Sequence, residues 1–274
     1  MATNNHKDSC GFDAAGGGPK LWWIGHATVL IRMGNRWILT DPLLRERLGV
    51  VFKRLAPCGI PLDRLPELDV VLISHAHMDH LDYWSLKQIK TSSAVLVTPK
   101  DMPWWPIHIK EQLSGRPWES VDCKGIRITW APVKHWGGRW LFDRVWRRSY
   151  TGYVLEYGGT AIFFAGDTGY TEKNFAEIAE RFRIDVALLP VGPAGTPFFY
   201  KWFTWRSHTD PDQAMRIFKT LNARCMVPIH HGTFYWNGPD EISAINNAIR
   251  DHGLKDKVFL LAPGQELDLA AMCA

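Results

Sequence analysis

From residue 19 onward, short apolar runs alternate with stretches of helical periodicity. Runs such as Val70-Val71-Leu72-Ile73 and Ala161-Ile162-Phe163-Phe164 carry no polar alternation, the pattern of strands buried on both faces with helices packed outside. This reading predicts strands at 21–33, 36–40, 69–74, 94–98, 125–133, 150–157, 160–165, 185–191, 224–229 and 257–262. The helices are marked by their ends. Asp210 is placed to cap, Pro211 to fill the first helical position and Gln213 to complete a capping box. Ala214, Ile217, Phe218 and Leu221 then form one apolar stripe. A second helix is predicted over 239–252, stopping at Gly253, a third starts at Asp79 and covers Leu81 to Ile89, and a fourth lies at 172–183. Strands and helices mixed in this order predict a layered α/β domain.

Composition bounds the rest. Residues 1–18 are polar and glycine-rich and read as a mobile tail, leaving 19–274 as a single domain long enough to bury a full core. With 22% charged residues and a net charge of +4, the chain is neither disordered nor basic enough to expect a nucleic-acid partner. No apolar run is long enough to cross a membrane, and the start MATNNHKDSCGFDAAGGGPK lacks the apolar segment of a secretory signal. Five cysteines without CxxC spacing predict free thiols in a reducing, cytoplasmic setting. Two counts change the picture: 14 Trp and 11 His.

The histidines are clustered. Ser74-His75-Ala76-His77-Met78-Asp79-His80 follows a predicted buried strand and sets four metal-capable side chains on one turn. Imidazole with carboxylate and no thiolate suits an open zinc, manganese or iron site better than a closed structural one. A solvated capping loop is the plain alternative. It is disfavoured because other predicted strands end on similar residues: His135, the run Gly166-Asp167-Thr168-Gly169, and His230-His231-Gly232. Loops at strand ends gather into sites, and together these residues offer what two divalent ions need, with one bridging carboxylate and a position left for water. Spacing alone does not separate His230 from His231.

HAHMDH, the lone His135, AGDTG and PIHHGTF resemble the metal-binding motifs of the metallo-β-lactamase superfamily. WIGHATVLI, LTDPLL, PELDVVLISHAHMDHLDYWSL, KHW, FFAGDTGY, SHTDPDQAMRIF and IHHGTF are similar, in order, to the subgroup containing N-acyl-phosphatidylethanolamine-hydrolysing phospholipase D. The resemblance spans about residues 20–265. It implies a four-layer αββα sandwich with the metal site at one edge. It further implies one ion held by His75, His77 and His135 and a second by Asp79, His80 and His230, with Asp167 bridging. Asp79 would steer a metal-bridging hydroxide, and His208 would lie against the substrate near the leaving group, to which it would donate if protonated. Asp41 and His26 would orient the ligands from behind. The activity implied is dinuclear zinc-dependent phosphodiester hydrolysis of the phospholipase D type; a lactonase or promiscuous esterase on the same metals and a non-catalytic metal-binding protein are the alternatives. The subgroup carries a tryptophan where this chain has His231, so His231 is expected to tune substrate preference.

Two segments mix aromatics with cations, Trp136 to Arg148 and Phe198 to Arg206. Both adjoin candidate site residues, so they are expected to rim the pocket. Trp202 and Trp205 would lie on the leaving-group side, and Arg139 would hold an anionic head group. The partner expected is a small-molecule or lipid-like phosphate substrate, with peripheral membrane contact or a homodimer interface as the two uses of the rim.

Overall fold

A strand buried on both faces needs a second sheet on one side and helices or loops on the other, and the apolar runs are used in that way. The computed structural model describes residues 18–49, 52–89, 93–102, 109–139, 148–192, 207–234 and 240–270. The predicted tail, apart from Gly18, lies outside the described residues.

One sheet has the order β15-β1-β2-β3-β6-β7-β8, built from Glu266–Asp268, Lys20–Gly25, Thr28–Met33, Arg36–Thr40, Val70–Leu72, Val95–Pro99 and Glu111–Gly115. The other has the order β14-β13-β12-β11-β10-β9, built from Cys225–Ile229, Val186–Pro190, Thr160–Phe164, Gly152–Tyr157, Ile126–Ala131 and Ser120–Cys123. A separate hairpin pairs β4 (Arg47–Leu48) with β5 (Phe52–Lys53). In each sheet the middle of the chain's path switches from antiparallel to parallel pairing, at β3–β6 in the first and β12–β13 in the second.

Alternate side chains divide each run between two cores. Leu21 and Trp23 point to the layer between the sheets with Val70, Leu72, Ile162 and Phe164, whereas Trp22, Ile24, Val71 and Ile73 face outward. Ala161 and Phe163 face the helices Glu172–Arg181, Pro211–Leu221 and Glu241–Asp251, which cover the second sheet. The first sheet's outer face is covered by Ile60, Leu65 and Leu68 from a long connection and by Leu86 of the short helix Tyr83–Gln88. The αββα order is thus present, with its first helical layer thin among the described residues.

The helix Pro211–Leu221 carries the expected box, with Asp210 Oδ1 accepting from Gln213 N at 2.9 Å and the Gln213 side chain returning to Asp210 N. Asp210→Ala is expected to cost about 1 kcal/mol. A fall in the urea midpoint at constant slope measures it.

Three expectations are corrected. The predicted strand 21–33 is two strands, because Gly25 (φ 132°) and His26 (φ 56°) make a tight turn between them. The segment 257–262 is not a strand; Val258 makes only an isolated bridge to Met226. The third helix starts after Asp82, not at Asp79, because Asp82 caps it by accepting from Ser85 N at 3.1 Å. Asp79 is thereby left in the loop, free for other work.

Candidate metal centre

Parallel pairing brings strand ends to one edge. Thr40 of β3 sits beside Leu72 of β6, so Asp41 and the turn at Ser74 leave the sheet together. Asp41 is fully buried, and its Oδ1 accepts from Ser74 N at 2.7 Å. Its Oδ2 accepts from Ser74 Oγ at 2.5 Å and lies 2.6 Å from His80 Nδ1. With Nδ1 engaged there, His80 presents Nε2 to the interior. His135 is set in the same way: Nδ1 donates to the Ser207 carbonyl at 2.7 Å, leaving Nε2 inward. Gly166 (φ +58°) is required for contact, since a Cβ there would lie 2.4 Å from Ser74 Cβ. Its absence lets the Asp167 loop of one sheet meet the His75 loop of the other.

Two groups of donors result. His75, His77, His135 and Asp167 offer atoms that all lie within 4.8 Å of one another, as do His26, Asp79, His80 and His230. In the first, His77 Nδ1 is 2.8 Å from His75 Nε2 and 3.3 Å from His135 Nε2. Asp167 joins the two: its Oδ2 lies 3.3 Å from each of His80 Nε2, His208 Nδ1 and His230 Nε2. His26 Nε2 approaches Asp79 Oδ2 at 3.1 Å.

The electrostatics ask for a cation. Burial holds His75 and His135 well below the usual imidazole range, so both are neutral and keep lone pairs. Burial also opposes charge on His80 and His230, but Asp167 and Asp79 outweigh it and raise both. These two rings sit between two carboxylates, the buried Asp167 and the partly buried Asp79, each held well below the usual range by the surrounding imidazoles despite the cost of burial. Both Asp167 oxygens, His80 Nε2 and both His230 nitrogens are buried with no hydrogen-bond partner among the described residues. Orphaned donors of this kind, oxygen and imidazole nitrogen only, fit divalent metal ions of the zinc class. Burial lowers His208 to about 4, against the pull of Asp167.

A cleft of about 350 Å³ opens over this cluster, a size that admits a drug-sized ligand. His77, Asp79, Asp167, His208 and His230 reach it from below. Its walls are Leu48, Phe52, Met78 and Trp136, with Arg139 on one side. Phe52, Met78 and Trp136 are large apolar residues left 45%, 39% and 39% exposed. Arg139 donates Nη1 to the carbonyls of Ala76 and Leu81 at 3.3 and 2.8 Å and stacks on Tyr83, so it also braces the ligand loop. A larger cavity of about 560 Å³, bordered by Asp185, Arg224 and Lys257, lies at the opposite ends of β12–β14 and holds none of the clustered donors.

Trp202 and Trp205 fall outside the described residues. His231 does not face the cleft. It is buried, stacked on Trp23 with centroids 4.4 Å apart, and donates Nε2 to the Pro228 carbonyl at 3.2 Å, so the expected tuning of substrate preference is replaced by a packing role. Sequence reasoning missed Leu48, Phe52 and Ser74. Two-residue strands carry no periodic signal, and a serine between a strand and a histidine motif reads as a turn residue.

Comparison with known proteins agrees with the geometry. A family described as a beta-lactamase superfamily domain matches residues 36–231. The chain is 30% identical over 263 residues to N-acyl-phosphatidylethanolamine-hydrolyzing phospholipase D 1 of Caenorhabditis elegans, covering 87% of this chain and 72% of that one. It is also 30% identical to a UPF0173 metal-dependent hydrolase of Methanoculleus marisnigri, over 91% of this chain and 96% of that protein. Among solved structures, the metallo hydrolase Igni18 of Ignicoccus hospitalis has the same fold, with a TM-score of 0.66 at 22% identity over 91% and 97% of the two chains. Matched domain, relatives and donor cluster together place this chain in the beta-lactamase superfamily, as a metal-dependent hydrolase.

Proposed function

We propose that the chain hydrolyses a phosphodiester bond in a lipid-like substrate, of the N-acyl-phosphatidylethanolamine type, at a dinuclear zinc centre. The observation that carries this reading is Asp167, shared by two donor groups beneath a cleft whose walls are apolar and exposed. His75, His77 and His135 would hold one ion, Asp79, His80 and His230 the other, with Asp167 between them. Two such ions, when bound, supply Lewis acidity at a phosphoryl oxygen and bring the pKa of water near neutrality.

The chain's own residues do the rest. His26 holds Oδ2 of Asp79, the oxygen that also faces His80 and His230 at 3.8 and 3.7 Å. Asp41 and the Ser207 carbonyl fix the rings of His80 and His135. Neutral His208, on the cleft floor beside Asp167, is placed to offer an N–H to the leaving oxygen. Leu48, Phe52, Met78 and Trp136 take acyl chains, and the same exposed side chains let the mouth rest on a bilayer surface. No helix among the described residues is long and apolar enough to cross a membrane.

The test is a comparison of substrates on the zinc-loaded protein: long-chain N-acyl-phosphatidylethanolamine in mixed micelles, a small soluble phosphodiester, and a lactone. Turnover of both phosphodiesters, with the lipid preferred, supports the reading; lactone turnover alone overturns it. In the double variant Phe52→Ser/Trp136→Ser, the long-chain to short-chain ratio of kcat/KM is expected to fall about tenfold, equivalent to about 1.4 kcal/mol of lost apolar contact. A ratio left at its wild-type value would remove these residues from substrate binding.

A further inference from the structure

We infer that Arg54 is a positioning residue for the His26–Asp79 side of the centre: one buried guanidinium ties the cleft-wall hairpin to the turn that carries His26 and the segment that carries Asp41. The inference rests on the dinuclear reading above.

Arg54 follows β5 and is 6% exposed. Its Nη1 donates to the Leu43 carbonyl at 2.7 Å, Nη2 to Ile24 at 3.3 Å and Nε to Ala56 at 3.3 Å. None of these acceptors is charged. A buried cation spent on three neutral carbonyls is a costly device, retained where a planar fork is needed to hold several strands of backbone in fixed relation. Two of the three carbonyls sit two residues from the centre: Ile24 precedes His26, and Leu43 follows Asp41. The chain has cleared room for the fork. A Cβ on Gly25 would lie 2.4 Å from Arg54 Nη2, and Gly25 has φ +132°, a conformation that favours glycine.

The turn so held is a strained one. His26 has φ 56° and depends on its surroundings to stay there. Its N–H donates to Thr233 Oγ1 at 2.6 Å, and its carbonyl accepts from His230 N and Trp23 Nε1, both at 2.9 Å. Residues 54–55 close the ring from the far side, because Leu55 N donates to the Thr233 carbonyl at 2.9 Å and Arg54 bridges to Phe234. Any shift of the guanidinium therefore moves His26, the Asp79 oxygen it holds and the backbone of His230. All three belong to one donor group. His75, His77 and His135, in the other, have no contact with Arg54 among the described residues. His75 is reached only at second hand, through Asp41 and Ser74 Oγ, which lies 2.9 Å from His75 Nδ1, so the consequence is asymmetric: loss of Arg54 loosens one ion and leaves the other close to its wild-type affinity.

The experiment measures zinc dissociation constants by competition with a chromophoric chelator for the wild type, Arg54→Lys, Arg54→Met and Lys53→Met, an exposed neighbour on the same hairpin. Arg54→Lys keeps the charge and size but cannot reach three carbonyls, which guards against a Met variant that fails to fold. For both Arg54 variants one of the two constants is expected to rise about 10–100-fold, the effect of removing an outer partner of a metal ligand, while the other and both constants of Lys53→Met stay close to wild-type values. Crystals of zinc-loaded Arg54→Lys should show the retained ion on His75, His77 and His135. Unchanged constants in both Arg54 variants overturn the inference, and so does a parallel weakening of both ions, which marks a general structural role. A wild-type protein that binds fewer than two ions fails the dinuclear reading itself, a different result from either.

Discussion

Asp167→Ala is expected to lower kcat/KM by about a thousandfold or more, the scale on which essential polar groups in water-excluded sites are measured. Its carboxylate belongs to one donor group and reaches into the other, with Oδ2 at 3.3 Å from each of His80, His208 and His230. No other side chain near the cluster can replace it, because Asp79 is already engaged by His26 and Asp41 by Ser74 and His80. The loop should survive the change. Its shape is set by Gly169 N donating to the Lys134 carbonyl at 2.7 Å, Ala165 N to Leu188 at 3.1 Å, and Lys134 N to Thr168 Oγ1 at 3.0 Å, none of which uses the Asp167 side chain. Elemental analysis beside turnover makes the measurement decisive. Loss of activity together with reduced zinc content at retained secondary structure is the expected outcome. Turnover near the wild-type rate would mean that the two donor groups act separately and that Asp167 bridges nothing.

How far the sequence could be read depended on whether the signal was local. The helix Pro211–Leu221 was fully legible because its cap, its proline and its apolar stripe lie within one short segment and agree. The candidate donors at His75, His77, Asp79, His80, His135 and Asp167 stood out because buried strands are easy to recognise and these residues lie in the segments that follow them, whereas His230 was set apart from its neighbour His231 only by the family resemblance. What failed were features fixed by tertiary contact. Nothing near Gly25 announces that an arginine from residue 54 will occupy the space its Cβ would take, so β1 and β2 read as one strand. Asp79 and Asp82 are equally good capping residues on paper; Ser85, which donates to Asp82 through both N and Oγ, decides between them. The cleft wall was hidden for another reason. Leu48 and Phe52 stand opposite each other on two-residue strands, and only the fold brings them over the donors.

His230 and His231 test that boundary most directly, because adjacent identical residues are assigned opposite work. The backbone of His230 is left-handed, φ 63°, and its N–H donates to the His26 carbonyl at 2.9 Å. That conformation turns its ring toward Asp167 and His26, whose ring centroid is 4.1 Å away, while His231 is sent to the other side of the chain against Trp23. Removing His230 takes away a donor whose two nitrogens have no hydrogen-bond partner among the described residues, so the fold loses little and the centre loses a ligand. Zinc affinity at that site should fall by more than the roughly 10–100-fold that an outer partner is worth, and hydrolysis should fall with it. Removing His231 takes away a fully packed ring and its bond to Pro228, and opens a cavity beneath Trp23. His231→Ala should therefore cost about 2 kcal/mol of folding stability, with zinc stoichiometry and relative substrate preference held at wild-type values in whatever fraction is folded. Chemical denaturation and metal analysis on the two single variants separate the outcomes. If His231→Ala loses zinc while His230→Ala loses only stability, the ligand assignment at the end of β14 is off by one residue, and the left-handed turn at His230 has no part in building the centre.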